Sequence, residues 1–341
     1  MSDPYPPRYP NGWFRAAFSH EVARGKLLPV KRFGRDLVVF RGEDGEARVF
    51  DAYCPHLGAH LGEGQVVGNR VRCAFHHWSF DSSGACVDVP GAKKIPPSAR
   101  LRCWPVREVN GVIFVHVHAV PGTAPAYEPP EVSELSEPGW MPLLFRGRTI
   151  KTHLQETMEN IVDLAHFPAL HTGVLATGFR ELPTVTRVEA EDTRFFVEWR
   201  TELKVFGRDA GSTVRITCHG PGFTVVRVSS VFEAAMIFVT SPVDDETIDF
   251  RFGVTVKKMS VPLAAHGMRQ FLAYRVINEV HQDARIWETK TFLERPVFSS
   301  ADGPIIKIRR WVSQFYPEVE PTTPTALSIG EHEHRPTAVA S

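Results

Sequence analysis

Four residues constrain this chain more than any others. Cys54 and His56 stand in the run Cys54-Pro55-His56. After sixteen intervening residues come Cys73 and His76, in Cys73-Ala74-Phe75-His76. Each of two loops thus offers one thiolate and one imidazole. A [2Fe–2S] cluster of mixed ligation needs this composition, with two Cys on one iron and two His on the other. Neutral imidazole in place of thiolate removes negative charge and raises the reduction potential. Such a cluster can take an electron from a donor and pass it to an iron site. Zinc accepts the same donors, but zinc loops open on C-x2–4-C, and a C-x-H opening is unusual there. His60 and His77 stand off the pattern and read as packing or surface residues. Cys86 and Cys103 read as small buried hydrophobes.

The remaining cysteine is Cys218. Five cysteines spread over 341 residues do not form a secreted disulfide framework. The N-terminal MSDPYPPRYPNGW lacks a charged-then-apolar leader pattern, and no apolar run of about 18 residues is present. A reducing cytoplasmic setting is the default expectation. Lys and Arg number 39, Asp and Glu also 39. This balance leaves no basic stripe for nucleic acid and no acidic solvating tail. The length suits two domains of roughly 100–200 residues each.

Short β-rich runs separated by turn signals fill the first third: a hairpin over 36–50, then 70–75, 78–81, 85–89 and 111–118. They predict a small all-β domain over 1–120. Six prolines between 121 and 142 forbid a helix or central strand and predict a linker. A catalytic domain is expected over 143–316 and a frayed tail over 317–341. Apolar spacing predicts helices over 150–166 and 263–294, the second with Met268, Phe271, Leu272, Val276 and Val280 as its stripe. The β-branched and aromatic runs between 184 and 259 predict a long antiparallel sheet.

A second constellation lies in the first of those helices. Asp163 and His166 are three apart, so one helical face carries both. His171 follows five residues later, about 140° away on a continuous helix. Pro168 predicts that the helix ends before it, so the chain can fold back and set His171 beside His166. Two His and one carboxylate on one octahedral face are the triad of non-haem Fe(II) oxygenases. The third donor is expected from the second helix. Asp283 is the first choice there, with Glu279 and Glu288 as local alternatives.

The pair C-x-H…C-x2-H and D-x2-H-x4-H resembles the double signature of Rieske oxygenase α-subunits, over roughly residues 8 to 317. YPNGWFRAAFSHEVARGKLLPV, VVFRGEDGEARVFDAYCPHLGAHLGEG, FHHWSFD and WPVREVNGVIFVHVH are similar to the Neverland-type cholesterol 7-desaturases. QDARIWETKTFLERPVFSSADGPIIKIRRWVSQFYP resembles both that group and the bacterial 3-ketosteroid 9α-hydroxylases. The resemblance implies an α+β fold, a Rieske domain followed by a helix-grip (START-like) domain with a large antiparallel sheet. It implies Asp283 as the iron carboxylate. It also implies a head-to-tail homotrimer in which Asp163 bridges His166 to His76 of the neighbouring subunit.

The expected activity is O2-dependent hydroxylation or desaturation of a steroid or sterol. An aromatic-acid oxygenase or O-demethylase is the alternative enzyme. A Rieske electron carrier and a sterol-binding protein are the rivals of other classes. No G-x-G-x2-G follows a strand, so electrons are expected from a separate NAD(P)H-linked reductase, with or without a ferredoxin. Two departures are visible. Ala74 stands where the family usually has Pro. The membrane anchor of the animal relatives is lacking, so a soluble protein is expected.

Overall fold

The computed structural model describes residues 9–171, 183–201, 204–205, 208–209, 211–291, 293, 296–299 and 302–317. The tail expected at 317–341 lies, beyond residue 317, outside them.

Eleven strands build the N-terminal part: β1 (Gly12–Phe18), β2 (Leu27–Arg32), β3 (Arg35–Arg41), β4 (Ala47–Asp51), β5 (Gln65–Val67), β6 (Arg70–Arg72), β7 (Ser79–Phe80), β8 (Cys86–Asp88), β9 (Cys103–Trp104), β10 (Val106–Val109) and β11 (Val112–Val117). They form three small sheets, ordered β1-β11-β10, β2-β3-β4-β9 and β5-β6-β7-β8. The third is separate from the second and has its own place in the core. Phe80, Val71, Leu61, Cys54 and Cys73 pack with Phe40 and Phe50 of the second sheet. The expected strand at 70–75 is shorter, because the chain leaves the ladder at Cys73 to form the second loop.

The Pro-rich segment makes no ladder, yet it is laid tightly on the fold. Asn110 grips it twice, donating to the Pro130 carbonyl at 2.8 Å and accepting from the Val132 N–H at 2.9 Å. Trp13 donates its ring N–H to the Tyr127 carbonyl at 2.6 Å. Val132 is 2% exposed.

Beyond it come β12 (Leu144–Ile150), α1 (Leu154–Asn160), α2 (Phe167–Leu170), β13 (Thr184–Glu191) and β14 (Arg194–Thr201). A two-stranded excursion, β15 (Lys204–Val205) with β16 (Arg208–Asp209), precedes β17 (Ser212–His219), β18 (Phe223–Ser229), β19 (Glu233–Pro242) and β20 (Ile248–Val256). The last elements are α3 (Pro262–Trp287) and α4 (Ile305–Ser313). Seven strands make one antiparallel sheet in the order β12-β20-β19-β18-β17-β14-β13. The fold is α+β. The strand β12 was not legible as a strand in sequence. It pairs along its whole length with β20, from Leu144↔Val254 to Ile150↔Ile248.

The two faces of this sheet serve two partners. Phe223, Val225, Ile237 and Val239 pack with Trp13 and Phe114 of the first sheet. Val226, Met236, Phe250, Phe252 and Val254 join the core that includes Ala273, Val280, Ala284 and Trp287 of α3. Alternation along each strand delivers both faces. The long helix grips the sheet largely through the expected stripe, with Val280 buried and Met268, Leu272 and Val276 partly buried against the core. Phe271 is 42% exposed, and the buried line runs through Ala265, Ala273, Val280, Ala284 and Trp287. The helix stops at Trp287, not 294. The Thr289 hydroxyl bonds back to the carbonyls of Arg285 and Ile286, each at 3.1 Å, and closes the last turn. Cys86 is buried as expected, but Cys103 is exposed. Among the described residues no helix is long and apolar enough to cross a membrane.

A buried charge cluster joins the N-terminal part to the large sheet. Asp249 of β20 meets Arg15 of β1, Arg32 of β2 (3.0 Å) and Arg251 (2.6 Å). Arg15 and Asp249 are 3% and 6% exposed. Burial alone would raise the Asp249 carboxyl; the three guanidinium groups outweigh it and hold it below its ordinary value. The stabilisation is therefore present at neutral pH and fades as pH falls through that lowered value. Replacing Asp249 by Ala leaves Arg15 and Arg32 buried without their shared anion. It is expected to cost about 3–5 kcal/mol, read as a lower urea midpoint at unchanged slope.

Candidate metal centres

The two N-terminal loops are built alike. In the first, the Cys54 carbonyl accepts from the N–H of Gly58 at 3.0 Å; in the second, the Cys73 carbonyl accepts from the N–H of His77 at 3.1 Å. The donor residue is left-handed in both, with φ of 74° at Gly58 and 58° at His77. Glycine adopts that conformation freely, whereas His must be held there by its surroundings. His77 is thus a turn residue, a role that no local pattern signals. His60 caps a short 3-10 turn, its Nδ1 accepting from Gly62 N–H at 3.0 Å.

Between the loops the donors sort into pairs. Cys54 and Cys73 are buried at 3% and 2% exposure, with their thiols adjacent. Burial, with Cys73 beside it, pushes the Cys54 thiol up to about 11. The rings of His56 and His76 meet edge-on with centroids 4.7 Å apart. His76 is exposed at the tip. Trp78, unremarked in sequence, stacks on His56 at 4.4 Å and 8°. Two thiols on the buried side and two imidazoles on the outer side suit a mixed-ligand [2Fe–2S] cluster.

The second constellation assembles differently from its prediction. Helix α1 ends at Asn160, so Asp163 and His166 stand in a turn, not on a helix. Asp163 closes that turn, its Oδ1 accepting from Ala165 N–H at 3.1 Å. Pro168 does not end a helix but sits in the first turn of α2. A first-turn N–H has no helical partner, so proline costs nothing there. His166 and His171 bracket this single turn, and their ring centroids lie 5.0 Å apart.

From α3, Asp283 reaches both rings. Its Oδ1 is 3.7 Å from His166 Nε2 and 3.4 Å from His171 Nε2. The three donor atoms lie within 4.8 Å of one another. Asp283 is 4% exposed, and burial raises its carboxyl to about 6 against the lowering effect of both histidines. Glu279 is occupied by Arg275, one turn before it. Glu288 is exposed and faces Arg148 at 3.5 Å. Of the three carboxylates considered, only Asp283 joins the histidines.

The surroundings hold this cluster in place. Asn160 Nδ2 donates to Asp283 Oδ2 at 3.4 Å. Asp163 Oδ2 lies 3.4 Å from His166 Nδ1. Burial alone would raise the Asp163 carboxyl, but His166 and the Ala165 N–H hold it below its ordinary value. The ring of Phe167 packs on His166 at 4.7 Å and on His171 at 5.2 Å, with Trp199 at 6.3 Å. Both ring nitrogens of His166 are buried without a hydrogen-bond partner among the described residues, and Nε2 is the one turned toward Asp283. An orphaned imidazole nitrogen aimed at a carboxylate and a second imidazole fits a divalent metal of the iron type.

Comparison with known proteins gives this arrangement its class. Residues 12–105 match the family model of the Rieske [2Fe–2S] domain, and residues 117–316 match that of the 3-ketosteroid 9α-hydroxylase C-terminal domain. Fold and site together define a Rieske-type non-haem iron oxygenase, an oxidoreductase whose cofactors are a [2Fe–2S] cluster and a mononuclear iron.

A probable 3-ketosteroid-9-alpha-monooxygenase oxygenase component of Rhodococcus rhodochrous is 33% identical, over 96% of this chain and 85% of that protein. The cholesterol 7-desaturase nvd 1 of Ciona intestinalis is also 33% identical, over 94% of this chain and 72% of that one. The chain belongs to the Rieske oxygenases whose catalytic half is the 3-ketosteroid 9α-hydroxylase C-terminal domain. Dicamba monooxygenase bound to dicamba shares the fold, with a TM-score of 0.77 at 18% identity over 89% of this chain and 96% of that one. So does Pseudomonas putida CBB5 NdmA with caffeine, at 0.75 and 22% over 88% and 89%.

Proposed function

We propose that this protein is the terminal oxygenase of an electron-transfer chain and hydroxylates or desaturates a steroid- or sterol-like substrate. The carrying observation is the convergence of His166, His171 and Asp283, whose donor atoms lie within 4.8 Å of one another. In this reading Cys54, His56, Cys73 and His76 hold the cluster, and His166, His171 and Asp283 hold the iron. When bound, the iron supplies O2 activation and the cluster supplies the electrons.

The chain's own residues do the rest. Asp163 orients His166 from its outer nitrogen. Phe167 and Trp199 make an apolar wall beside the histidines and limit water there. Asn160 holds the second oxygen of Asp283. Electrons come from a separate reductase, directly or through a ferredoxin. In a head-to-tail homotrimer, Asp163 is the contact through which His76 of the neighbouring subunit meets His166.

Support for the substrate class comes from the relatives, named for 3-ketosteroids and cholesterol. The test is turnover of the protein with a surrogate reductase, O2 and four substrates: cholesterol, a 3-ketosteroid, an aromatic acid and a methoxy aromatic. Oxidation of one of the first two is expected. Product from the aromatic compounds alone refutes the substrate class and leaves the oxygenase class standing.

A further inference from the structure

The two histidines of the buried triad are not supported alike. The outer nitrogen of His166 faces a carboxylate, Asp163. The outer nitrogen of His171 faces a neutral amide: Nδ1 lies 2.8 Å from Oε1 of Gln282. Gln282 directly precedes Asp283 on α3. One short stretch of helix therefore addresses both nitrogens of the same ring, Asp283 at Nε2 and Gln282 at Nδ1. His171 is 6% exposed, so water is not freely available to replace either contact.

We propose that Gln282 is the positioning residue of the second histidine: its amide oxygen accepts the Nδ1–H of His171 and keeps the Nε2 lone pair turned toward Asp283 and the metal. This rests on the reading that His171 and Asp283 hold the iron. A bound imidazole commonly donates its outer N–H to an oxygen that fixes tautomer and ring orientation. The acceptor here is uncharged. It orients the ring without adding a second outer anion to a site that already has Asp163 and Asp283. The sequence gives this no motif, because Gln282 reads as an ordinary polar helix residue.

The readout is metal binding, not turnover. The mononuclear site is emptied with a chelator, the cluster is retained, and Co(II) is titrated in while its visible spectrum is followed. Gln282→Leu keeps the size of the side chain but has no acceptor. It is expected to weaken Co(II) binding by roughly 10–100-fold, the cost typical of losing such a partner. Gln282→Glu restores an acceptor, adds charge, and is expected to bind at least as tightly as the unaltered protein. A residue that merely packs the helix predicts no such rescue.

His171→Ala is titrated alongside. If it abolishes binding while Gln282→Leu matches the unaltered protein, the inference about Gln282 is wrong and the ligand reading stands. If Gln282→Glu binds as weakly as Gln282→Leu, the inference is also overturned. If His171→Ala binds Co(II) normally, the ligand reading fails and the inference falls with it.

Discussion

Asp283→Ala is expected to strip the mononuclear iron from the protein while leaving the cluster colour unchanged. The triad offers two neutral nitrogens and one anionic oxygen, and the variant removes the anion. Among the described residues no other carboxylate joins both histidines. Glu279 is held by Arg275, and Glu288 is exposed and turned toward Arg148. Losing a mere outer partner weakens a metal site by roughly 10–100-fold, so losing a donor should exceed that range. The cluster loops pack in a separate apolar core with Phe40, Phe50 and Phe80, so they should not sense the change. Iron and sulfide per chain, with the visible spectrum, decide the matter. A variant that keeps its iron beyond the cluster's two refutes Asp283 as the ligand. The same loss in Glu279→Ala or Glu288→Ala would move the assignment by a helical turn.

Asp163→Asn should leave both centres loaded and stop electrons from passing between them. The side chain is 33% exposed, so one edge is open, as the proposed trimer contact requires, while the other faces His166. The Asn carbonyl can still accept from Ala165 N–H, which preserves the turn. Its NH2 then faces the outer nitrogen of His166, and a donor replaces the acceptor there. In a single-turnover experiment with a reduced cluster, substrate and O2, cluster reoxidation is expected to slow by roughly 100-fold or more, at the upper end of such outer-partner effects. Sedimentation should report the same assembly as the unaltered protein. Reoxidation at the normal rate would falsify the bridge.

Both experiments depend on residues that could be named before any coordinates. The donor types and spacings carried them: C-x-H, C-x2-H and D-x2-H-x4-H are local in sequence and chemically specific. The large sheet was legible too, because the β-branched and aromatic runs of β17 to β20 stand between turn signals whatever packs on them. Local reasoning failed where a neighbour decides the outcome. The turn at 161–166 looked helical because Leu154, Met158, Ile161, Val162 and Ala165 keep helical spacing. In the structure, Asp163 bonds the backbone two residues on, and a new helix starts at Phe167. The stripe of α3 was right at Met268, Leu272, Val276 and Val280 and missed only at Phe271. Periodicity marks which residues are apolar, while packing against the sheet leaves Phe271 outside.

The sequence by itself determined the chemistry: the Cys and His pairs, the D-x2-H-x4-H run, and a short choice of helix carboxylates. Tertiary structure alone decided three things. It set Asp283, already the first choice among the helix carboxylates, against the histidines and turned Glu279 and Glu288 toward Arg275 and Arg148. It brought Gln282 to the far side of His171, a contact across 111 positions that no local pattern encodes. It joined the N-terminal part to the sheet through Asp249, Arg15 and Arg32, which lie on strands far apart in sequence. Donor identity is a property of side chains and is written in order along the chain. Their approach to within bonding distance is set by packing, and packing is decided only when all the faces are buried together.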